Sequence, residues 1–167
     1  MKNAFRRLPV HLVAVLVSAT SGCGGAPSSG ASSAATSSAT PGERCLASAE
    51  AKLTRNPSEP DKISVKHILV KYEGAKSAPP TITRTREEAC LRAEEALGKL
   101  KEGASFADVV AKYSDESGAD TREGSIGAIE RGDVAPAFAD AAFQLKMREV
   151  SAVVETPFGF HVILRVE

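Results

Sequence analysis

The chain has 167 residues, 43% of them hydrophobic and 25% charged, with 21 basic against 21 acidic side chains. That length allows one domain of roughly 100–150 residues with appendages and excludes a large multidomain enzyme. The zero net charge argues against a dedicated nucleic-acid binder. Three cysteines are too few for a disulfide scaffold and lack metal-site spacing, and no apolar run reaches the roughly 18–20 residues that a membrane-spanning helix needs.

At the N-terminus, Lys2, Arg6 and Arg7 precede an apolar stretch from Val10 to Ala19 that contains His11, followed by small residues to Gly22 and then Cys23. A positive segment, a short apolar segment and a small-residue exit describe an export signal over residues 1–22. Thr20-Ser-Gly-Cys23 resembles the lipobox of bacterial lipoproteins, with Thr20 where leucine is usual. The resemblance implies that Cys23 is acylated and becomes the first mature residue; a plain signal peptide with an incidental Cys23 is the alternative. Processing there removes all three N-terminal cations and leaves 18 basic against 21 acidic groups, a balance unfavourable to anionic lipid or nucleic acid. Residues 24–42 are only Gly, Ala, Ser, Thr and Pro; they cannot bury enough to offset ordering entropy and read, with Cys23, as a flexible tether over 23–42. The expected location is extracytoplasmic, on a lipid anchor in a bacterial cell envelope.

A short helix is expected from Glu43 to Leu53, within a lead-in over 43–62 that Asn56-Pro57 interrupts. Ile63 to Tyr72 is rich in β-branched residues and apolar on both faces, as a covered central strand requires. Glu73 to Pro80 reads as a loop. The clearest helix runs from Thr85 to Leu100, with Ala89, Ala93, Ala96, Leu97 and Leu100 on one stripe and Gly103 as its stop. Ser105 and Asp108 resemble a capping box for a helix from Phe106 to Tyr113. A polar turn region, Ser114 to Gly124, leads to a strand at Ser125–Ile129 and a helix from Pro136 to Leu145. Strands at Val150–Thr156 and Phe160–Val166 then form a hairpin with a bulged or three-residue loop. This order predicts one α+β domain over 63–167 with a largely antiparallel sheet.

Two histidines fall within strands. By alternation His67 shares a face with Val65 and Leu69, and His161 shares one with Ile163. An imidazole on an apolar face needs a partner for each ring nitrogen, which a neighbouring imidazole or hydroxyl provides. Residue type alone leaves open a hydrogen-bonded core histidine or a functional one. No third ligand stands at recognisable spacing, so no metal is expected.

Several segments carry a more specific signal in their order and spacing. They are Val65-Lys-His-Ile-Leu-Val-Lys71, Ile82-Thr-Arg-Thr-Arg-Glu-Glu-Ala89, Phe106-Ala-Asp, Tyr113-Ser-Asp115, Gly124-Ser-Ile-Gly127, Arg131-Gly132, Phe138-x-x-Ala-Ala-Phe143 and Pro157-Phe-Gly-Phe-His-Val-Ile-Leu-Arg165. Together, over Val65 to Glu167, they resemble a parvulin-type peptidyl-prolyl cis-trans isomerase domain. The resemblance implies a four-stranded antiparallel sheet flanked by about four helices. It implies rotation about Xaa-Pro bonds without a cofactor, on proline-containing client polypeptides; the chain is expected to be monomeric and, from its charge balance, to bind no nucleic acid.

Carried over by position, the resemblance puts the paired active-site histidines at His67 and His161 and the hydroxyl that orders them at Thr156. It puts the proline-ring slot at Ile126, Val134 and Phe138, where Leu, Met and Phe are usual. Glu116 stands where the family has Cys or Asp, retaining a charge but adding a methylene to Asp; that leaves open full catalysis, or binding with weakened catalysis. Ser114 is expected to hydrogen-bond beside this acidic loop, and Lys71, with Lys76, to meet an acidic group on a client. Outside the cytoplasm Cys45 and Cys90 either pair, stapling the short helix to the long one, or remain one buried and one incidental thiol. A non-catalytic chaperone using the same groove is the rival functional reading.

Overall fold

A computed structural model describes residues 39–167. The export signal, Cys23 and all but the end of the tether therefore lie outside the described residues. Within them, α1 (Pro41–Ala49) begins two residues before the expected start. Thr40 is its N-cap: the Thr40 hydroxyl accepts the Glu43 N–H and the Glu43 carboxylate accepts the Thr40 N–H. The helix ends at Ala49 rather than continuing to Leu53.

The chain continues through β1 (Lys62–Val70), α2 (Arg86–Lys101), α3 (Phe106–Tyr113) and β2 (Ser125–Glu130). A single 3-10 turn at Arg131–Asp133 leads into α4 (Pro136–Ala142), and β3 (Val154–Thr156) and β4 (Gly159–Arg165) complete the sheet. The strand order is β2-β1-β4-β3 with every pairing antiparallel. The expected α+β, four-stranded antiparallel architecture is therefore present, with four α-helices around it.

β1 is central and covered on both sides. Ile68 and Val70 face a layer made by α1, α2 and α3, together with Phe160 and Val162 of β4. Ile63 and Val65 face α4, together with Ile163 and Phe138. The two faces bury different residues of the same strands, which is why the sequence runs apolar without alternation there. Cys45 and Cys90 are joined across α1 and α2 in the first layer, with their Cα atoms 6.0 Å apart.

Three further features differ from expectation. The strand expected over Val150–Thr156 pairs continuously only from Val154, with an isolated bridge at Val150. At Ser151 a side chain replaces one half of the ladder: the backbone N–H still donates to the Ile163 carbonyl at 2.8 Å, but the hydroxyl accepts the Ile163 N–H at 2.9 Å and donates to the Ala152 carbonyl. The helix expected to reach Leu145 ends at Ala142. The final hairpin closes on two residues, Pro157 and Phe158, with Thr156 opposite Gly159.

Candidate active site

The register of β1 and β4 brings the two histidines together. His67 lies opposite Ile163 and His161 opposite Leu69, so the imidazoles are diagonal neighbours on the face toward α4. Their rings are near parallel with centroids 5.3 Å apart, and the two Nδ1 atoms are 3.1 Å apart. Thr156, at the end of β3, places Oγ1 at 2.7 Å from His161 Nε2. The same oxygen accepts the Phe158 N–H at 3.1 Å, which fixes it within the turn. Glu116 places Oε2 at 2.9 Å from His67 Nε2, completing a chain Glu116–His67–His161–Thr156.

The chain of groups admits two proton orders. With His67 cationic, His67 donates from Nε2 to Glu116 and from Nδ1 to His161, and His161 donates from Nε2 to Thr156. With both imidazoles neutral, the His67–His161 and His161–Thr156 bonds reverse and the Thr156 hydroxyl donates to His161. Either order keeps His161 uncharged. Its burial, and then the neighbouring charge of His67, push it down to about 3, with Glu116 partly offsetting. Glu116 is held down to about 2, chiefly by the hydrogen bond from His67; partial burial opposes this, and the charges of His67 and Arg122 add to it.

An apolar slot stands against this network. The Phe138 ring, at the first turn of α4, meets both imidazoles edge-on, with centroids 5.6 Å from His67 and 5.2 Å from His161. Ile126 reaches the slot through a β-bulge. Val65 pairs with Gly127 and Lys66 with Ser125, leaving Ile126 as the extra residue of β2; such a bulge re-aims a side chain. Val134 follows the 3-10 turn, and Phe158 comes from the hairpin tip. These residues, with Asp133 and Ala135, join His67, Glu116, Thr156 and His161 around a pocket of about 200 Å³. Its make-up, apolar walls with a few convergent polar groups, is that of a binding site. Among the described residues no group of three or more His, Cys, Asp or Glu is placed to hold a metal ion.

Seven of the residues singled out in the sequence thus line one pocket: His67, Glu116, Ile126, Val134, Phe138, Thr156 and His161. Lys71 and Ser114 are not among its lining. The Lys71 ammonium donates to the Ser77 carbonyl at 2.8 Å. The Ser114 hydroxyl accepts the Leu69 and Glu116 N–H groups, so it ties the acidic loop to β1. Sequence reasoning missed Asp133, Ala135 and Phe158. Phe158 stands in the sequence only within the hairpin loop and the Pro157–Arg165 segment of the resemblance, although an aromatic residue inside a turn is a usable signal. Sequence reasoning also missed Arg122, whose Nη2 lies 2.6 Å from the Glu116 oxygen that accepts from His67.

The pocket and fold have relatives. The chain is 42% identical over 113 residues to the peptidyl-prolyl cis-trans isomerase pin1 of Schizosaccharomyces pombe, an alignment covering 65% of this chain and 64% of that protein. It is 40% identical over 72 residues to the foldase protein PrsA of Halalkalibacterium halodurans, covering 43% of this chain and 22% of that one. The solved structure of the peptidyl-prolyl isomerase ESS1 from Candida albicans superposes with a TM-score of 0.58 at 28% identity, covering 68% of this chain and 66% of that one. The chain thus spans less than two thirds of the length of both curated relatives. Residues 51–167 match the family profile described as the PPIC-type PPIase domain, and the chain belongs to that family.

Proposed function

We propose that the chain is a peptidyl-prolyl cis-trans isomerase acting on exported polypeptides, held to a bacterial membrane surface by lipid on Cys23. The observation that carries the catalytic part is the pocket in which Ile126, Val134 and Phe138 stand against the histidine network. Rotation about an Xaa-Pro bond is slow because amide resonance sets a barrier of roughly 18–20 kcal/mol, and uncatalysed exchange takes tens of seconds or more. No bond to the enzyme is needed. In this reading the apolar residues grip the proline ring and exclude water. The polar chain from Glu116 to Thr156 forms the floor beside the twisting amide, favouring the geometry in which conjugation is lost. The histidines act there as a hydrogen-bonded support rather than as an acid and base.

Export and anchoring rest on the sequence: the cationic start, the short apolar segment and the Thr20-Ser-Gly-Cys23 motif. Likeness to a protein named as a foldase supports client polypeptides as substrates. The tether over 23–42 would let the domain stand away from the membrane.

The test is NMR exchange spectroscopy of Xaa-Pro peptides, with Ala, Leu, Glu and phosphoserine before proline, using the purified full-length chain. Accelerated cis-trans exchange is expected, with kcat/KM reduced about tenfold or more by Ile126→Ala. Ile126 is only half-buried, so this variant tests the slot without emptying the core. Peptide binding without acceleration would replace this reading with that of a non-catalytic chaperone.

A further inference from the structure

The loop between α3 and β2 is built around one residue, His67. Asp115 enters it by donating its N–H to the Leu69 carbonyl at 2.7 Å. Gly124 leaves it by accepting the His67 N–H at 2.8 Å. Between these points Glu116 reaches back to the His67 imidazole, so the loop holds both the backbone and the side chain of the same residue.

Arg122 braces this loop across its width. Its Nη2 lies 2.6 Å from Oε2 of Glu116, the oxygen that also accepts from His67, and its Nη1 donates to the Ser117 carbonyl at 3.2 Å. The guanidinium lies against Gly118, where even a Cβ atom would come within 3.4 Å of Nη1. Exposure falls steadily along the series: the side chains of Arg122, Glu116 and His67 are 38%, 27% and 6% exposed. A solvent-side cation therefore holds a carboxylate that in turn holds a buried imidazole. The fork geometry matters, because one nitrogen contacts the carboxylate while the other fixes the loop, which a point charge cannot do.

We infer that Arg122 is the positioning residue of this site, seating the Glu116 carboxylate on His67 and so setting the proton order of the histidine pair. This assignment rests on the isomerase reading for its kinetic consequence but not for its structural one. Arg122 touches no reacting atom in this scheme; it acts through Glu116. The other titratable or charged groups near Glu116 and His67 are the uncharged His161 on β4, Asp133 on the pocket rim, the Asp115–Arg84 ion pair at the loop's start and the Lys66–Glu123 ion pair at its end. None of these contacts the Glu116 carboxylate oxygen that His67 and Arg122 share.

Two variants test it, Arg122→Gln and Arg122→Lys. Exchange kinetics are followed on Ala-Pro and Glu-Pro peptides, and the imidazole nitrogens by 15N NMR without substrate. Arg122→Gln is expected to lower kcat about tenfold on both peptides, with KM within about twofold, as an ångström-scale misplacement in the site would. It should also change the 15N pattern that reports the tautomers of His67 and His161. Arg122→Lys should recover part of kcat and part of the 15N pattern. A KM increase confined to the Glu-Pro peptide would overturn the assignment and make Arg122 a client ligand. Unchanged kinetics and unchanged 15N spectra would reduce it to an exposed ion pair. If the unmodified protein accelerates nothing, the isomerase reading falls, while the 15N comparison still decides what Arg122 does.

Discussion

At the scale of single residues, Glu116 shows what composition could not. From sequence, its extra methylene relative to Asp left both full and weakened catalysis open. In the structure that methylene is part of the span from the loop to His67 Nε2, and the carboxylate also meets Arg122. His161 and Glu116 together set an acid limit on the fold. Both have folded-state values below their unfolded ones: about 3 against 6.5 for His161 and about 2 against 4.5 for Glu116. As pH falls the unfolded chain therefore binds these protons first, so stability is present above the unfolded values and lost on acidification. The thermal midpoint should be flat from about pH 8 down to about pH 7, decline below about pH 6.5 as His161 contributes, and steepen below about pH 4.5 as Glu116 joins. Scanning calorimetry across that range checks this. A midpoint constant from about pH 7 to about pH 5 would mean that His161 is not held buried and neutral.

At the scale of elements, the loop and bulge that deliver Glu116 and Ile126 depend on two glycines with similar backbones and different surroundings. Gly124 and Gly127 have φ of +74° and +77°. A Cβ at Gly124 would lie 2.5 Å from the His67 carbonyl oxygen and 2.8 Å from Val110, whereas one at Gly127 would meet nothing within 4 Å. Gly127→Ala should therefore cost about 1 kcal/mol, the strain of a left-handed alanine. Gly124→Ala adds overpacking and should cost roughly 2–4 kcal/mol in total. Urea unfolding of the two variants gives the difference directly, and equal losses would remove the close approach of the loop to β1 as its cause. These elements also mark where the sequence was legible. α2 carries a helical apolar stripe and a Gly103 stop, α3 the capping pair Ser105 and Asp108, and β1 a run of β-branched residues, so their existence and type followed from local chemistry. The bulge at Ile126, the short β3 and the two-residue hairpin did not follow. Each is decided by a partner strand or, at Ser151, by a side chain replacing a backbone acceptor. The family resemblance located the pocket residues because it encodes that pairing. It could not locate Arg122, whose role comes from the loop's own closure.

At the scale of the whole domain, the described residues include a segment that precedes the family match at residue 51. Together with the lead-in to β1 that follows it, this segment is bound on both sides of the sheet. α1 is linked to α2 by Cys45–Cys90, and Arg86 pairs with both Glu50 and Glu155. Farther along, Arg131 holds Glu59 through two hydrogen bonds of 2.7 Å, and Gln144 donates to the Thr54 carbonyl at 2.9 Å. The disulfide joins residues 45 positions apart, and in the loop-entropy account a closure of that length stabilises by about 4 kcal/mol. For a domain of this size that corresponds to a thermal midpoint on the order of 10 °C lower without the bond. Cys45 and Cys90 are buried in the layer under α1–α3, while His67 and His161 look toward α4 from the other face of the sheet. The bond should therefore matter to stability and not to the pocket. Cys45→Ala/Cys90→Ala, melted beside the oxidised and the dithiothreitol-reduced protein, should lose the same increment as reduction does, with Xaa-Pro exchange unchanged at temperatures where all three are folded. A parallel loss of exchange in the folded range would show that the N-terminal helix acts on the pocket through the sheet. It would then be a working part of the site rather than a brace on its far side.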